Sequence, residues 1–316
     1  MDDNKALTLP NGERLSIPQN VRILFEVEHL VFATPATVSR CGMVWFSDDI
    51  LDVDCMYRNH MTRLEQDELS QEELAVDVTD SGKPGIISTQ KVVSHFTKRY
   101  IDSRGLLSKA LRAAQGMSHI MSFDPARSLS TLFASLSGNC REIHRYQCEH
   151  PDFPLTTERI ETYLSKQVLL DFVWAFAGDA DQASRTKFGH TLAQISGTEL
   201  PSSASGSDSL LNYAVDLSTG FWVPWSDRVP TVEVDVQNIT ATDIVIPTVD
   251  TLRHEALVYT WIRARKPVIL CGPPGSGKTM TLFNALRKLP DIEVAGLNFS
   301  SATSPDLILR TFEQYC

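Results

Sequence analysis

Residues 272–279 read Gly-Pro-Pro-Gly-Ser-Gly-Lys-Thr, a glycine-rich loop that ends on a cation and a hydroxyl. The spacing Gly272-x4-Gly277-Lys278-Thr279 suits phosphate. Glycines let the backbone curl so that successive N–H groups point at phosphate oxygens, Lys278 supplies a point charge to the β/γ-phosphates, and the Thr279 hydroxyl is a Mg²⁺ ligand. Average usage yields this pattern by chance in a chain of this length about once in a hundred. The binding stretch runs Gly272, Pro273, Pro274, Gly275, Ser276, Gly277, Lys278, Thr279, Met280, and the expected ligands are ATP or ADP with Mg²⁺.

The elements around the loop fit that chemistry. "KPVILCG" before it reads as a short apolar strand and "TMTLFNALRKL" after it as a helix, whose positive dipole end faces the same anion. "IEVAGLNFS" (292–300) reads as a second parallel strand, and Ser304-Pro305-Asp306 caps the helix "DLILRTFEQY". No later apolar strand within these 316 residues ends in paired acids. Phosphate recognition is present, while the carboxylates that anchor Mg²⁺ and activate water are missing after the loop. A small P-loop kinase, the alternative enzyme, needs acidic and substrate-binding residues there too.

Two further groups could do chemistry. Cys140, His144 and Cys148 recur at four-residue steps in "CREIHRYQCEH", one face of a helix, with His150 close by. Zinc sites use such ligands, but paired Cys-x2-Cys knuckles are missing, and a helix with incidental polar residues is the preferred reading. Trp222 and Trp225 in "FWVPW" could stack on a ligand, and strand packing is the preferred role.

Upstream, "KALTLPNGERLSI" alternates apolar residues on both sides of Asn11-Gly12, which predicts a hairpin closed by a two-residue type I′ turn. "VRILFEV" (21–27) reads as a short buried strand, and "MVWF" (43–46) as another. An opening in mid-hairpin suggests a segment of a larger protein or an incomplete gene sequence. From Ile50 to Ser196 the apolar spacing turns helical: Ile50, Val53, Tyr57, Met61, Leu64; then Val92, Val93, Phe96, Tyr100. Asp124-Pro125 reads as an N-cap with proline at the first helical position, ahead of the stripe Leu129, Leu132, Phe133, Leu136. Ile160, Tyr163, Leu164, Val168, Asp171 and Phe172 open a long helix that stops near Gly178. Residues 66–85 are a polar insertion, "GTELPSSASGSDS" (197–209) is a linker, and "TVEVDV" (231–236) is a strand. "TVDTLRHEALVYTWIRAR" is a helix with Leu252, Ala256, Leu257 and Trp261 on one side.

The chain has 316 residues, 42% hydrophobic and 22% charged, with a net charge of −10. That is ordinary globular usage and ample for two cores. An acidic chain with few basic runs argues against nucleic acid, and no apolar run approaches the ~18 residues of a membrane span. Six scattered cysteines form no disulfide framework, and "MDDNKALTLP" is not a signal peptide, so a reducing compartment is expected.

Four stretches carry a resemblance: "LTLPNGERLSIP", "PATVSRCGMVWF", "IPTVDTLRHEALVYTW" and the run from "LCGPPGSGKTMTLFNALRKL" to Cys316. Together they resemble the dynein heavy chain family, closely at both ends and loosely across the helical middle. "GPPGSGKTMTL" is more similar to the cytoplasmic than to the axonemal motors. The resemblance implies an α/β AAA+ P-loop NTPase architecture, two partial α/β modules separated by an all-helical lid. Residues 1–49 would end the large subdomain of the second module, 50–196 form the lid and 197–243 a linker with short strands. Residues 244–316 would begin the third module. It also implies that Arg40 is an arginine finger reaching the preceding module's nucleotide, although an arginine near a strand is by itself a surface charge. Glu26 takes the sensor position, where many AAA+ proteins have Asn. Val245, Ile246, Pro247 and Thr248 would cradle adenine at a site that regulates the motor. Implied partners are the remaining AAA+ modules of the same chain. Intermediate and light intermediate chains, dynactin and microtubules would engage through regions outside these residues, and the expected location is the cytoplasm and its microtubule cytoskeleton. The competing expectation is a catalytically inactive piece of ring scaffold.

Overall fold

Proline has no N–H to donate, and this settles the first turn. The computed structural model describes residues 6–8, 11–18, 20–47, 51–67, 69, 86–102, 105–201, 209–231, 247–289 and 292–315, in two units, Met1–Asp52 and Val53–Cys316. In the first unit, β1 (Ala6–Thr8) pairs antiparallel with β2 (Arg14–Ser16), Leu7 opposite Leu15 and Thr8 opposite Arg14. With Thr8 opposite Arg14 the register centres on residue 11, so it does not fit a two-residue turn on Asn11-Gly12. A turn centred on Asn11-Gly12 needs residues 10 and 13 as its hydrogen-bonded closing pair, and Pro10 cannot donate. It also needs positive φ at both central residues. Gly12 has φ +85°, but Asn11 does not, and its side chain instead accepts from the Glu13 N–H at 3.0 Å.

Among its described residues this unit also holds α1 (Pro35–Arg40), whose N-cap Thr34 accepts from the Thr37 N–H at 3.2 Å. The strands expected at 21–27 and 43–46 do not form: Leu24, Phe25, Val44 and Phe46 are exposed, and no described residue pairs with either segment. Apolar runs read correctly as surface that seeks burial, but a buried strand needs hydrogen-bonding neighbours on both sides, and the described residues supply none. With this much apolar surface in water, the 316-residue chain is expected to self-associate as its concentration rises. Sedimentation velocity across a concentration series measures this.

In the second unit, α2 (Val53–Gln66), α3 (Ile86–Asp102), α4 (Leu106–Gln115), α5 (Pro125–Glu149), α6 (Thr157–Ala177) and α7 (Gln182–Ser196) surround one apolar core. Met61, Leu129, Leu132, Leu136, Leu164, Val168 and Phe172 are buried in it, while Phe133 is half-buried and stacks on His60 at 3.9 Å. Burial first, then Arg63 and Lys266, lowers His60 to about 4. The helix starts follow from the expected chemistry: Asp124, Thr156 and Asp181 each accept backbone N–H bonds as N-caps. Helix ends are also served. Buried Gln90 of α3 donates to the carbonyls of Leu64 and Asp67 at 2.8 and 2.9 Å, satisfying acceptors that the end of α2 leaves open. Ile50 and most of residues 66–85 lie outside the described residues.

Asp171, on the same helix, is buried, with Asn139 of α5 and Gln167 donating to its two oxygens at 2.7 and 2.9 Å. Burial pushes its carboxyl up to about 7, against a smaller opposing pull from those amides. An acid with a raised folded pKa adds stability that is complete below its unfolded value near 4 and is lost as pH rises through about 7. We expect the stability of this helical unit to fall by on the order of a few kcal/mol between about pH 4 and pH 8 on this account. Asp171→Asn should flatten that slope, as read by denaturant unfolding at both ends of the window.

Beyond α7, a 3₁₀ turn (Leu210–Asn212) leads into β3 (Tyr213–Val215), paired antiparallel with β4 (Trp222–Pro224), and α8 (Val249–Arg263) follows. Residues 202–208 and 232–246 lie outside the described residues, including most of the strand expected at 231–236. Helix α8 lies against α5 closely enough that a Cβ on Gly138 would come within 2.9 Å of the Thr260 methyl. Last come α9 (Lys278–Arg287) and α10 (Pro305–Tyr315). The strands expected at 266–272 and 292–300 do not form among the described residues, and Ile269, Phe299, Leu307 and Phe312 are exposed. The physical reason is the same as at 21–27.

Candidate nucleotide site

Residues Cys271–Gly277 form a loop that turns directly into α9. Gly275 and Gly277 have φ of +78° and +77°, values that place both in the region glycine favours. Gly277 is the N-cap of α9 and offers no side chain, so the first-turn N–H groups have no side-chain acceptor. By contrast α5, α6, α7 and α8 are capped by Asp124, Thr156, Asp181 and Thr248. Open amides at a helix start beside a lysine fit a phosphate group. The Lys278 ammonium curls over the loop, donating to the carbonyls of Gly272 and Pro273 at 2.9 and 2.7 Å and to Ser276 Oγ at 3.2 Å. Its cation is therefore already held at the loop. Thr279 and Met280 are exposed at the start of the helix, and Thr281 is buried and donates to the Gly277 carbonyl at 3.0 Å.

Helix α8 holds α9 in place. Leu257 and Trp261 pack half-buried against the apolar core as expected, but Ala256 is exposed and Arg253, Glu255 and Val258 are buried instead. The one-sided reading assumed that charges face water, whereas α8 is packed on two sides and its charges have partners. Arg253 donates to the Leu211 carbonyl at 3.1 Å, pairs with Asp250 and lies 5.7 Å from the Trp174 ring. On the other side, Lys288 Nζ is 2.6 Å from Glu255 Oε1. The signal that could have found this pair is the two-residue spacing in "RHE", which puts Arg253 and Glu255 on opposite helix faces.

The other candidate residues are placed as follows. Thr248 caps α8, accepting from the Thr251 N–H at 3.2 Å while its own N–H bonds Thr251 Oγ1 at 2.7 Å. Pro247 precedes it, and Val245 and Ile246 lie outside the described residues. Arg40 ends α1 and Glu26 lies in the exposed segment 21–27, both in the first unit. His144 Nε2 is 3.6 Å from Cys148 Sγ, while Cys140 is fully buried, its thiol pushed up to about 12 by burial. No group of three or more metal-ligating side chains gathers among the described residues. Trp222 donates to the Glu199 carbonyl at 2.9 Å, with Lys166 above it, and Trp225 carries Arg228 over its ring.

A helical lid followed by a glycine-rich phosphate loop that opens a helix has the architecture of an AAA+ P-loop protein. Residues 98–227 match the dynein heavy chain AAA lid domain, and residues 234–316 match the P-loop containing dynein motor region. The whole chain aligns with "Dynein heavy chain, cytoplasmic" of Neurospora crassa at 48% identity over 318 residues and of Fusarium vanettenii at 48% over 319. The Drosophila melanogaster protein of the same name is 45% identical over 324 residues. The chain spans about 7% of the length of these relatives. It belongs to the dynein heavy chain family, as a segment of its motor region.

Proposed function

We propose that this chain is part of the ring of an ATP-driven, minus-end-directed microtubule motor of the cytoplasm, and that its loop binds ATP or ADP at a regulatory module. The observation that carries the nucleotide reading is the uncapped start of α9 beside Lys278, and the motor reading is supported by the likeness to the cytoplasmic dynein heavy chains. Gly272–Lys278 would hold the phosphates, and the Thr279 hydroxyl would ligate the accompanying Mg²⁺. The nucleotide supplies a phosphoryl group open to attack by water. The chain's own residues orient and neutralise its phosphates, work that needs donors and charge but no covalent chemistry. The adenine contact falls to residues 245–248, with Thr248 doubling as the cap of α8.

On the same reading, residues 1–49 complete the second module, 50–196 are its lid, 197–243 connect, and 244–316 begin the third. Arg40 serves the preceding module's site in trans, and Glu26 takes the sensor position. The partners are the other modules of the heavy chain, with accessory chains, dynactin and microtubules engaged elsewhere. Calorimetric titration of the 316-residue chain with ATP and ADP tests the core of this reading. Binding lost in Lys278→Ala supports it, and no binding by the parent chain points instead to an inactive piece of scaffold.

A further inference from the structure

Helix α8 is a strut between the lid and the phosphate loop. At about 100° per residue, Arg253 and Glu255 point to opposite sides. On the lid side Arg253 grips the Leu211 carbonyl, and Trp261 Nε1 donates to Ser135 Oγ of α5 at 3.4 Å. On the loop side Glu255 and Val258 are buried, as are Thr281 and Ala285 of α9. Thr281, Ala285 and Lys288 follow one another at helical spacing, so they form a single stripe that ends in the ion pair.

We propose that Glu255 is a positioning residue for the phosphate loop, acting through Lys288. The pair is unequal: the Glu255 side chain is 7% exposed and that of Lys288 63%. A buried carboxylate needs its partner, whereas an exposed ammonium is solvated without one. The carboxylate therefore fixes where the lysine goes, and with it the far end of α9. Lys278 and Lys288 are ten residues apart, about 15 Å along the axis, so a tilt of about 4° at one end shifts the other by about 1 Å. A shift of that size is enough to degrade phosphate positioning substantially. The lid-docked helix thus sets the loop's orientation, a regulatory link that rests, for its nucleotide arm, on the function proposed above.

The test is amide hydrogen exchange on the 316-residue chain, comparing α9 with α5 and α6, alongside nucleotide titration. Lys288→Met strands the buried carboxylate and should accelerate exchange in α9 by about tenfold while sparing α5 and α6. Glu255→Gln should do so by only about threefold, because its amide still hydrogen-bonds and Lys288 reaches water. The double variant should be milder than Lys288→Met, and Lys288→Arg should behave as the parent. Nucleotide affinity should fall in the same order. If Lys288→Met also loosens the lid, the comparison of Lys288→Arg with the double variant carries the test. Unchanged α9 exchange in Lys288→Met and the double variant, or Lys288→Arg as damaging as Lys288→Met, would overturn the proposal. The expected exchange order without any nucleotide binding would uphold the positioning role and sink the nucleotide reading instead.

Discussion

Arg40→Ala, introduced into a full-length heavy chain, should slow hydrolysis at the preceding module's site by ~10³-fold or more while leaving nucleotide affinity there nearly unchanged. A guanidinium at a neighbour's γ-phosphate meets charge that develops in the transition state, so its removal acts on turnover and not on ground-state binding. Arg40→Lys should recover only part of the rate, since a point charge lacks the planar fork that engages two oxygens. Arg40 is the last residue of α1, a helix whose start is set by Thr34 and Pro35. Its charge at the helix C-terminus is worth ~0.3–1 kcal/mol. The measurement is single-turnover phosphate release with nucleotide affinity determined in parallel. Unchanged microtubule-stimulated turnover would remove the finger role and leave Arg40 a surface charge.

The helical part of the fold was legible because its signals are local. In α5 and α6 the apolar residues recur at three- and four-residue steps, and the Asp124 cap of α5 forms as the sequence implies, while Thr156 caps α6 without having been singled out. The glycine-rich loop was legible too, since its residue types carry their own geometry in Gly275 and Gly277. The apolar runs at 21–27, 43–46, 266–272 and 292–300 were not. A sequence shows that such a run seeks burial, but pairing is decided by partners far away in the chain. Asn11-Gly12 failed for a nearer reason, the missing donor at Pro10. Glu255 and Arg253 escaped because periodicity sorts charges outward. A helix gripped on both sides buries a charge wherever a partner compensates it, and the partners lie 33 and 42 residues away, at Lys288 and Leu211. Candidate sites that depend on such distant pairs leave only a faint local trace, here the spacing in "RHE", whereas the phosphate loop is contiguous.

The 316-residue chain should bind ATP or ADP and yet turn over no ATP above the uncatalysed rate. Binding rests on groups that are in place: the open amides at the start of α9 and the ammonium of Lys278, held by the loop's own carbonyls. Those carbonyl contacts compete with phosphate, so affinity should be weak, with Kd in the range of about 10 μM to 1 mM. Lys278→Ala removes the charge and should weaken binding by about tenfold or more, the scale of a charge-assisted contact. Hydrolysis is a separate demand, because phosphoryl transfer depends on a positioned water and on neutralising charge around the transferring group. Between Thr279 and Cys316 the acids are Asp291, Glu293, Asp306 and Glu313, none paired at the end of an apolar strand. Arg40, the proposed finger, would serve a different module's nucleotide. Titration calorimetry beside a phosphate-release assay separates the two properties. Sustained turnover by this chain, abolished in Lys278→Ala, would show that some group among these residues activates water and that the division between binding and catalysis drawn here is wrong.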